Sequence, residues 1–83
     1  MKKEDDFPPL GSAPVVGELY EHYSGRRYRI IGIARHSETL EGMVIYQAQY
    51  GAGQLWVRPL AMFMEEVVRE GKRVPRFQLI KHS

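Results

Sequence analysis

Arg35-His36-Ser37-Glu38-Thr39 is the densest group of chemically capable side chains in the sequence. It offers a guanidinium, an imidazole, two hydroxyls and a carboxylate, the residue types of acyl transfer or of anion binding. Adjacent residues on an extended strand point to opposite sides, so His36 and Ser37 do not form a nucleophile–base pair merely by being neighbours. The expected role of His36, Ser37, Glu38 and Thr39 is a structural loop, because such hydroxyls commonly bond to nearby backbone. A small enzyme using His36 is the alternative. His22, His36 and His82 lack metal-ligand spacing and there is no cysteine, so no metal or other cofactor is expected.

A second group lies downstream, in Leu55-Trp56-Val57-Arg58-Pro59 and Pro75-Arg76-Phe77. An outward tryptophan is either half-covered by long side chains or part of a recognition surface. Tryptophan and arginine are also the types that most often dominate binding hot spots. The expected ligand-binding residues are Trp56, Arg58, Gln47 and Gln49 on one outer face. Arg35 would approach from the preceding strand and Arg76 from the last.

The elements that would carry these groups read as β from Gly17 onward. Glu18–Tyr23 and Tyr28–His36 flank the short connection Ser24-Gly25-Arg26-Arg27. A two- or four-residue loop there puts Leu19 and Tyr23 on a core face with Tyr28 and Ile30, and Tyr20 and His22 on the other. Gly32 marks a bend or bulge that would turn Ile31 and Ile33 inward. Met43–Tyr50 then meets Leu55–Arg58 across Gly51-Ala52-Gly53-Gln54. A four-residue loop pairs Tyr50 with Leu55 and Ala48 with Val57, and a one-residue slip would exchange the faces. Segment 60–69 is open between one helix and a turn plus strand. The preferred reading is a helical turn at Leu60–Phe63, then a hairpin of Met64–Arg69 with Val74–Ile80. Short strands and tight glycine turns predict a mainly β fold, a small antiparallel SH3-like barrel of five or six strands with one short helical turn.

Composition bounds the rest. Eighty-three residues make one domain, and a chain this size buries only about 60% of its unfolded surface. Residues 1–16 read as a flexible N-terminal tail, residues 17–80 as the barrel and 81–83 as the C-terminal end; Phe7, Leu10, Val15 and Val16 could still cover one barrel opening. Formal net charge is +2; eight of the twelve basic residues are arginine, which makes bidentate contacts that lysine cannot. This mild excess falls short of a clustered basic footprint, although nucleic acid stays a possible partner. No apolar run approaches the ~20 residues of a membrane span, and Met1-Lys2-Lys3 leads into Glu4-Asp5-Asp6 and prolines rather than an apolar signal region. A cytoplasmic protein with no membrane partner is expected, as a monomer or weak dimer.

Several runs resemble one family in order: Tyr20-Glu21-His22-Tyr23-Ser24-Gly25, then Gly32-Ile33-Ala34-Arg35-His36-Ser37-Glu38-Thr39-Leu40-Glu41, then Val44-Ile45-Tyr46. Leu55-Trp56-Val57-Arg58-Pro59-Leu60 with Met62-Phe63, and Val74-Pro75-Arg76-Phe77, continue the match. Together they are similar to the small bacterial domain of unknown function 1653, over residues 17–80. Ser24 departs from the pattern, since the family often has lysine there. The resemblance implies a compact, stand-alone SH3-like domain and no particular activity. Taken with the residues, it suggests a non-enzymatic binding module for a peptide, protein or anionic small ligand. Single-stranded nucleic-acid binding is the principal alternative.

Overall fold

The structure, a computed structural model, describes residues 13–82; most of the expected tail, residues 1–12, and Ser83 lie outside the described residues. The elements run β1 (Leu19–His22), β2 (Arg27–Arg35), β3 (Gly42–Ala48), β4 (Leu55–Pro59), α1 (Leu60–Phe63), β5 (Glu66–Arg69), β6 (Lys72–Pro75) and β7 (Phe77–Lys81). Among the described residues the fold is mainly β and antiparallel, with one short helix. Its strands form a five-stranded sheet in the order β4-β3-β2-β1-β7 and a separate β5–β6 hairpin. The described residues therefore hold seven strands rather than five or six, and no ladder joins β4 to β7. No helix among them is long and apolar enough to cross a membrane.

Two hairpins depart from the expected register, and both do so because their loops have an odd number of residues. In the first, His22 N–H bonds to Arg26 C=O at 2.8 Å, leaving a three-residue loop, Tyr23–Gly25. Gly25 takes φ +96°, the positive angle that the last position of such a loop requires. Tyr20 consequently pairs with Tyr28, and Leu19 with Arg29. Tyr20 and His22, not Leu19 and Tyr23, share the core face with Tyr28 and Ile30. In the second, Ala48 N–H bonds to Gln54 C=O, leaving the five-residue loop Gln49–Gly53. Tyr46 then faces Trp56, and Gln47 faces Leu55. The expected pairing of Ala48 with Val57 is thus replaced, and even-numbered residues of β3 and β4 share one face.

The bulge at Gly32 is present: Ile30 pairs with Tyr46, whereas Gly32 pairs with Ile45. Past it Ile33 packs on the core, while Ile31 stays exposed, contrary to the expectation that both turn inward. The helical turn falls on Leu60–Phe63 as read from the sequence. The following hairpin is shorter than expected. Its loop is Glu70-Gly71, with both φ values positive, as a two-residue type I′ turn demands. Arg76 interrupts the chain, and Phe77–Lys81 pairs with β1 instead of extending that hairpin.

The core is an aromatic cluster on the inner face of the sheet: Tyr20, Ile30, Val44, Tyr46, Phe63 and Phe77 are buried. Phe63 and Phe77 stack at 4.1 Å with an interplanar angle of 7°. Tyr20 and Tyr46 meet Phe63 edge-on at 5.3 and 5.4 Å. Near the other end of β1, Glu18 is buried and accepts the Val15 N–H at 2.7 Å. Pro14 is buried beside it, so part of the segment assigned to the tail packs on the sheet.

Removing the stacked ring should be costly. Phe63→Ala is expected to lower the unfolding free energy by about 3–5 kcal/mol, the range for emptying a buried phenylalanine site. Urea denaturation followed by circular dichroism measures it. Val68→Ala, on the exposed hairpin, should change stability by less than about 0.5 kcal/mol.

Candidate functional site

The odd loops carry Trp56 and Arg58 to the inner face, at the open mouth of the aromatic core. There a cleft of about 520 Å³ is lined by His22, Tyr28, Tyr46, Tyr50, Trp56, Arg58 and Phe77, with Ser24 and Arg26 at the rim. Trp56 is 49% exposed and forms one wall. A smaller hollow of about 280 Å³ continues past Tyr50 and Trp56 over the β3–β4 loop. Arg58 is held in place: its Nε donates to the Tyr46 hydroxyl at 3.3 Å, and its guanidinium lies 5.7 Å from the Phe77 ring centroid. Arg26 sits over the Tyr50 ring at 4.9 Å.

Electrostatics follow from this placement. Tyr28 and Tyr50 share a 2.6 Å hydroxyl contact. Burial, then that contact, push the Tyr28 phenol up to about 12, while the same hydrogen bond pulls Tyr50 down. His22 is held below its ordinary value by burial and then by the nearby charges of Arg58, Arg76 and Arg69. Its Nδ1 accepts the Ser24 N–H at 3.2 Å, which leaves the proton of the neutral ring on Nε2. The cleft is thus aromatic, neutral at its histidine and positive at its arginines. Anions and flat rings are the groups it can accommodate. Among the described residues no group of three or more histidine or acidic side chains converges as metal ligands would.

Of the residues expected at the site, the structure brings together Trp56 and Arg58. Gln47 is on the opposite face of β3 from them, because the register is even-to-even, and Gln49 falls in the β3–β4 loop. The Gln47 amide donates to Gly53 C=O at 2.9 Å and so anchors the β3–β4 loop. Arg35 lies at the far end of β2, seven residues beyond Tyr28, roughly 23 Å at about 3.3 Å per residue. Arg76 pairs with Glu65, is not among the lining residues, and acts on the cleft through its charge on His22. Sequence reasoning missed Arg26, Tyr28, Tyr46 and Tyr50 as a lining set. Their common parity with Trp56 is visible only once the loop lengths are known.

The polar loop organises itself. His36 Nδ1 accepts the backbone N–H groups of Glu38 and Thr39 at 3.0 and 3.2 Å. Thr39 Oγ1 donates to Glu41 at 3.3 Å and lies the same distance from the Glu41 N–H. Ser37 and Glu38 side chains are exposed. Leu40 has φ +64°, an unfavourable angle for a branched residue, and Arg35 donates to its carbonyl at 2.9 Å. Two outcomes are expected. His36→Ala should lower stability by about 1 kcal/mol in urea titrations, the usual worth of hydrogen bonds lost from a loop, without altering Trp56 emission. For His22, whose folded value is depressed, the stability of the neutral ring is fully present above the unfolded value of 6.5 and is lost as pH falls through the folded one. Melting temperature should therefore fall on acidification below pH 6.5, and less so in His22→Gln.

A protein from Bordetella bronchiseptica, solved by crystallography and assigned to the same family as the one matched below, superposes with a TM-score of 0.71 at 30% identity, covering 98% of this chain and 96% of that one. No curated protein matches this chain. Residues 18–79, which span every strand from β1 to the cleft-lining Phe77, match the family described as Protein of unknown function (DUF1653), and the chain belongs to that family.

Proposed function

We propose that this domain is a non-enzymatic binding module of the bacterial cytoplasm, an SH3-like barrel left partly open, whose ligand lies over Trp56 and contacts Arg58. The ligand is an anionic peptide, protein segment or small molecule. One observation carries this reading: a cleft of about 520 Å³ with aromatic walls is edged by Arg26 and Arg58. Its volume lies in the range of about 300–1,000 Å³ usual for ligand sites. Arg58 is braced by Tyr46 and Phe77, so little rotamer freedom is lost when an anion docks. A guanidinium held in this way suits bidentate contact with a carboxylate or phosphate. A barrel left open on this side also agrees with Arg58 of β4 reaching Phe77 of β7 without a ladder between the strands.

A second reading is favoured by the half-exposed ring of Trp56 two residues from Arg58. That pair also suits a stacked base with its phosphate contacted, as in single-stranded nucleic-acid binding. Binding of that kind should weaken steeply with added salt.

The test is titration of the full chain with phenyl phosphate, blocked acidic peptides and short oligonucleotides. Saturable change in the emission of the single tryptophan is expected with an anionic probe. By calorimetry, Trp56→Ala should then weaken binding by roughly 2 kcal/mol, about 30-fold, as a hot-spot residue does. Arg27→Ala should do little, because Arg27 pairs with Glu21 away from the cleft. If no probe perturbs Trp56, and Trp56→Ala only lowers thermal stability, the reading fails.

A further inference from the structure

Among the described residues, the cleft borders a sheet edge that no strand pairs with. β4 ends the five-stranded sheet, and Leu55 and Val57 on it are 60% and 59% exposed. The bond from Ala48 N–H to Gln54 C=O fixes the phase of the β3–β4 ladder. Antiparallel ladders alternate bonded and non-bonded pairs. Gln54, Trp56 and Arg58 therefore turn their backbone groups toward β3, and Leu55 and Val57 turn theirs outward. Two donors and two acceptors stand ready along this edge. Pro59, with no N–H, ends the run where α1 begins.

We propose that an extended acidic peptide adds to β4 as a further antiparallel strand and sends alternate side chains into the cleft; this rests on the binding reading above and names its ligand class. Residues of the added strand opposite Leu55 and Val57 would make the ladder bonds. Those opposite Trp56 and Arg58 fall at non-bonded positions, where Cα atoms approach to about 4.5 Å and side chains lie closest. These two share the face of Tyr46 and the cleft. Opposite Arg58 the chemistry calls for a carboxylate, and opposite Trp56 for an aromatic ring. Antiparallel running order makes the motif acid, any residue, aromatic. Backbone bonds supply affinity without sequence preference, and the two cleft-facing side chains supply specificity.

Charge selects this occupant over a second copy of the chain. Self-pairing would bring another Arg58 against a rim that already holds Arg26 and Arg58, and β4, Leu55-Trp56-Val57-Arg58-Pro59, carries no carboxylate to meet them. Bare edges that are apolar invite association unless charge or proline interrupts them, and here only Arg58 and Pro59 do so.

The experiment uses the full chain, unmodified and as the double variant Asp5→Lys with Phe7→Ala, with Trp56 emission as the signal and three blocked pentapeptides. These are acetyl-TETFT-amide, its lysine counterpart acetyl-TKTFT-amide, and TETFT N-methylated at the middle and last threonines, which removes the ladder donors. TETFT should bind saturably, with the other two at least tenfold weaker, and phenyl phosphate should compete with it. Equal binding of the N-methylated peptide would overturn strand addition while leaving the cleft reading intact. So would binding of phenyl phosphate alone. No response to any probe, from either form of the chain, removes the cleft reading itself. Sedimentation showing a dimer that TETFT does not dissociate would assign the edge to a second copy and overturn the proposal. Asp5 and Phe7 carry the same acid–aromatic spacing. If TETFT binds only after Asp5→Lys with Phe7→Ala, the chain's own segment is the occupant and the proposal fails.

Discussion

The stack of Phe63 on Phe77 is the contact on which the rest of the domain depends. Phe63 closes the helical turn that follows β4, at one edge of the sheet, and Phe77 opens β7, at the other. Among the described residues no backbone ladder joins these edges, so there the curl of the sheet is maintained by rings rather than by hydrogen bonds. Around the parallel pair the neighbours stand edge-on, as ring quadrupoles favour. Tyr46 meets both rings, and His22 and Tyr28 meet Phe77. Because a chain this short has little apolar area to bury, losing one of these rings would affect the fold and the cleft together.

A sheet curled by side chains has a mouth, and the cleft is that mouth. Closing β4 onto β7 by a ladder would cover Tyr46, Tyr28 and the inner side of Trp56. Left apart, the edges expose the outer layer of the aromatic cluster, and Arg58 bridges toward Phe77 across the gap. The guanidinium is therefore both part of the packing and part of the cleft lining. That dual use explains why Arg58, unlike Arg27 in its exposed pair with Glu21, is fixed by a hydroxyl and a ring.

Much of this was legible in the sequence, down to the helical turn at Leu60–Phe63 and the bulge at Gly32. What escaped was parity. Strand side chains alternate with period two, so one residue more or fewer in a loop exchanges whole faces. The residues around Gly25 and Gly53 fit loops of either parity by composition. Only the positive φ of Gly25 at the third loop position, and the tie of Gln47 to Gly53, select the odd forms. With that choice Tyr20 enters the core, and Trp56 leaves Gln47 and Gln49 for the tyrosines. In the loop after β2, imidazole and hydroxyl groups beside backbone donors bond locally whichever face they start from, through His36 and Thr39. Its strained Leu40 and the guanidinium of Arg35 at the Leu40 carbonyl had no sequence signal.

Charge and edge geometry meet at β4 in a way that neither produces alone. Burial, and then the charges of Arg58, Arg76 and Arg69, disfavour a protonated His22, so the field of the cleft is set by its arginines. A positive field by itself would attract any small anion and hold it loosely. The unpaired backbone of Leu55 and Val57 offers directional bonds one strand-width from that field, on a strand whose alternate residues point into it. A ligand with an extended backbone and an acidic side chain at the right phase satisfies both at once. An isolated anion satisfies only the first. Selectivity for such a segment then comes from register, the same period-two constraint that carried Trp56 to the inner face.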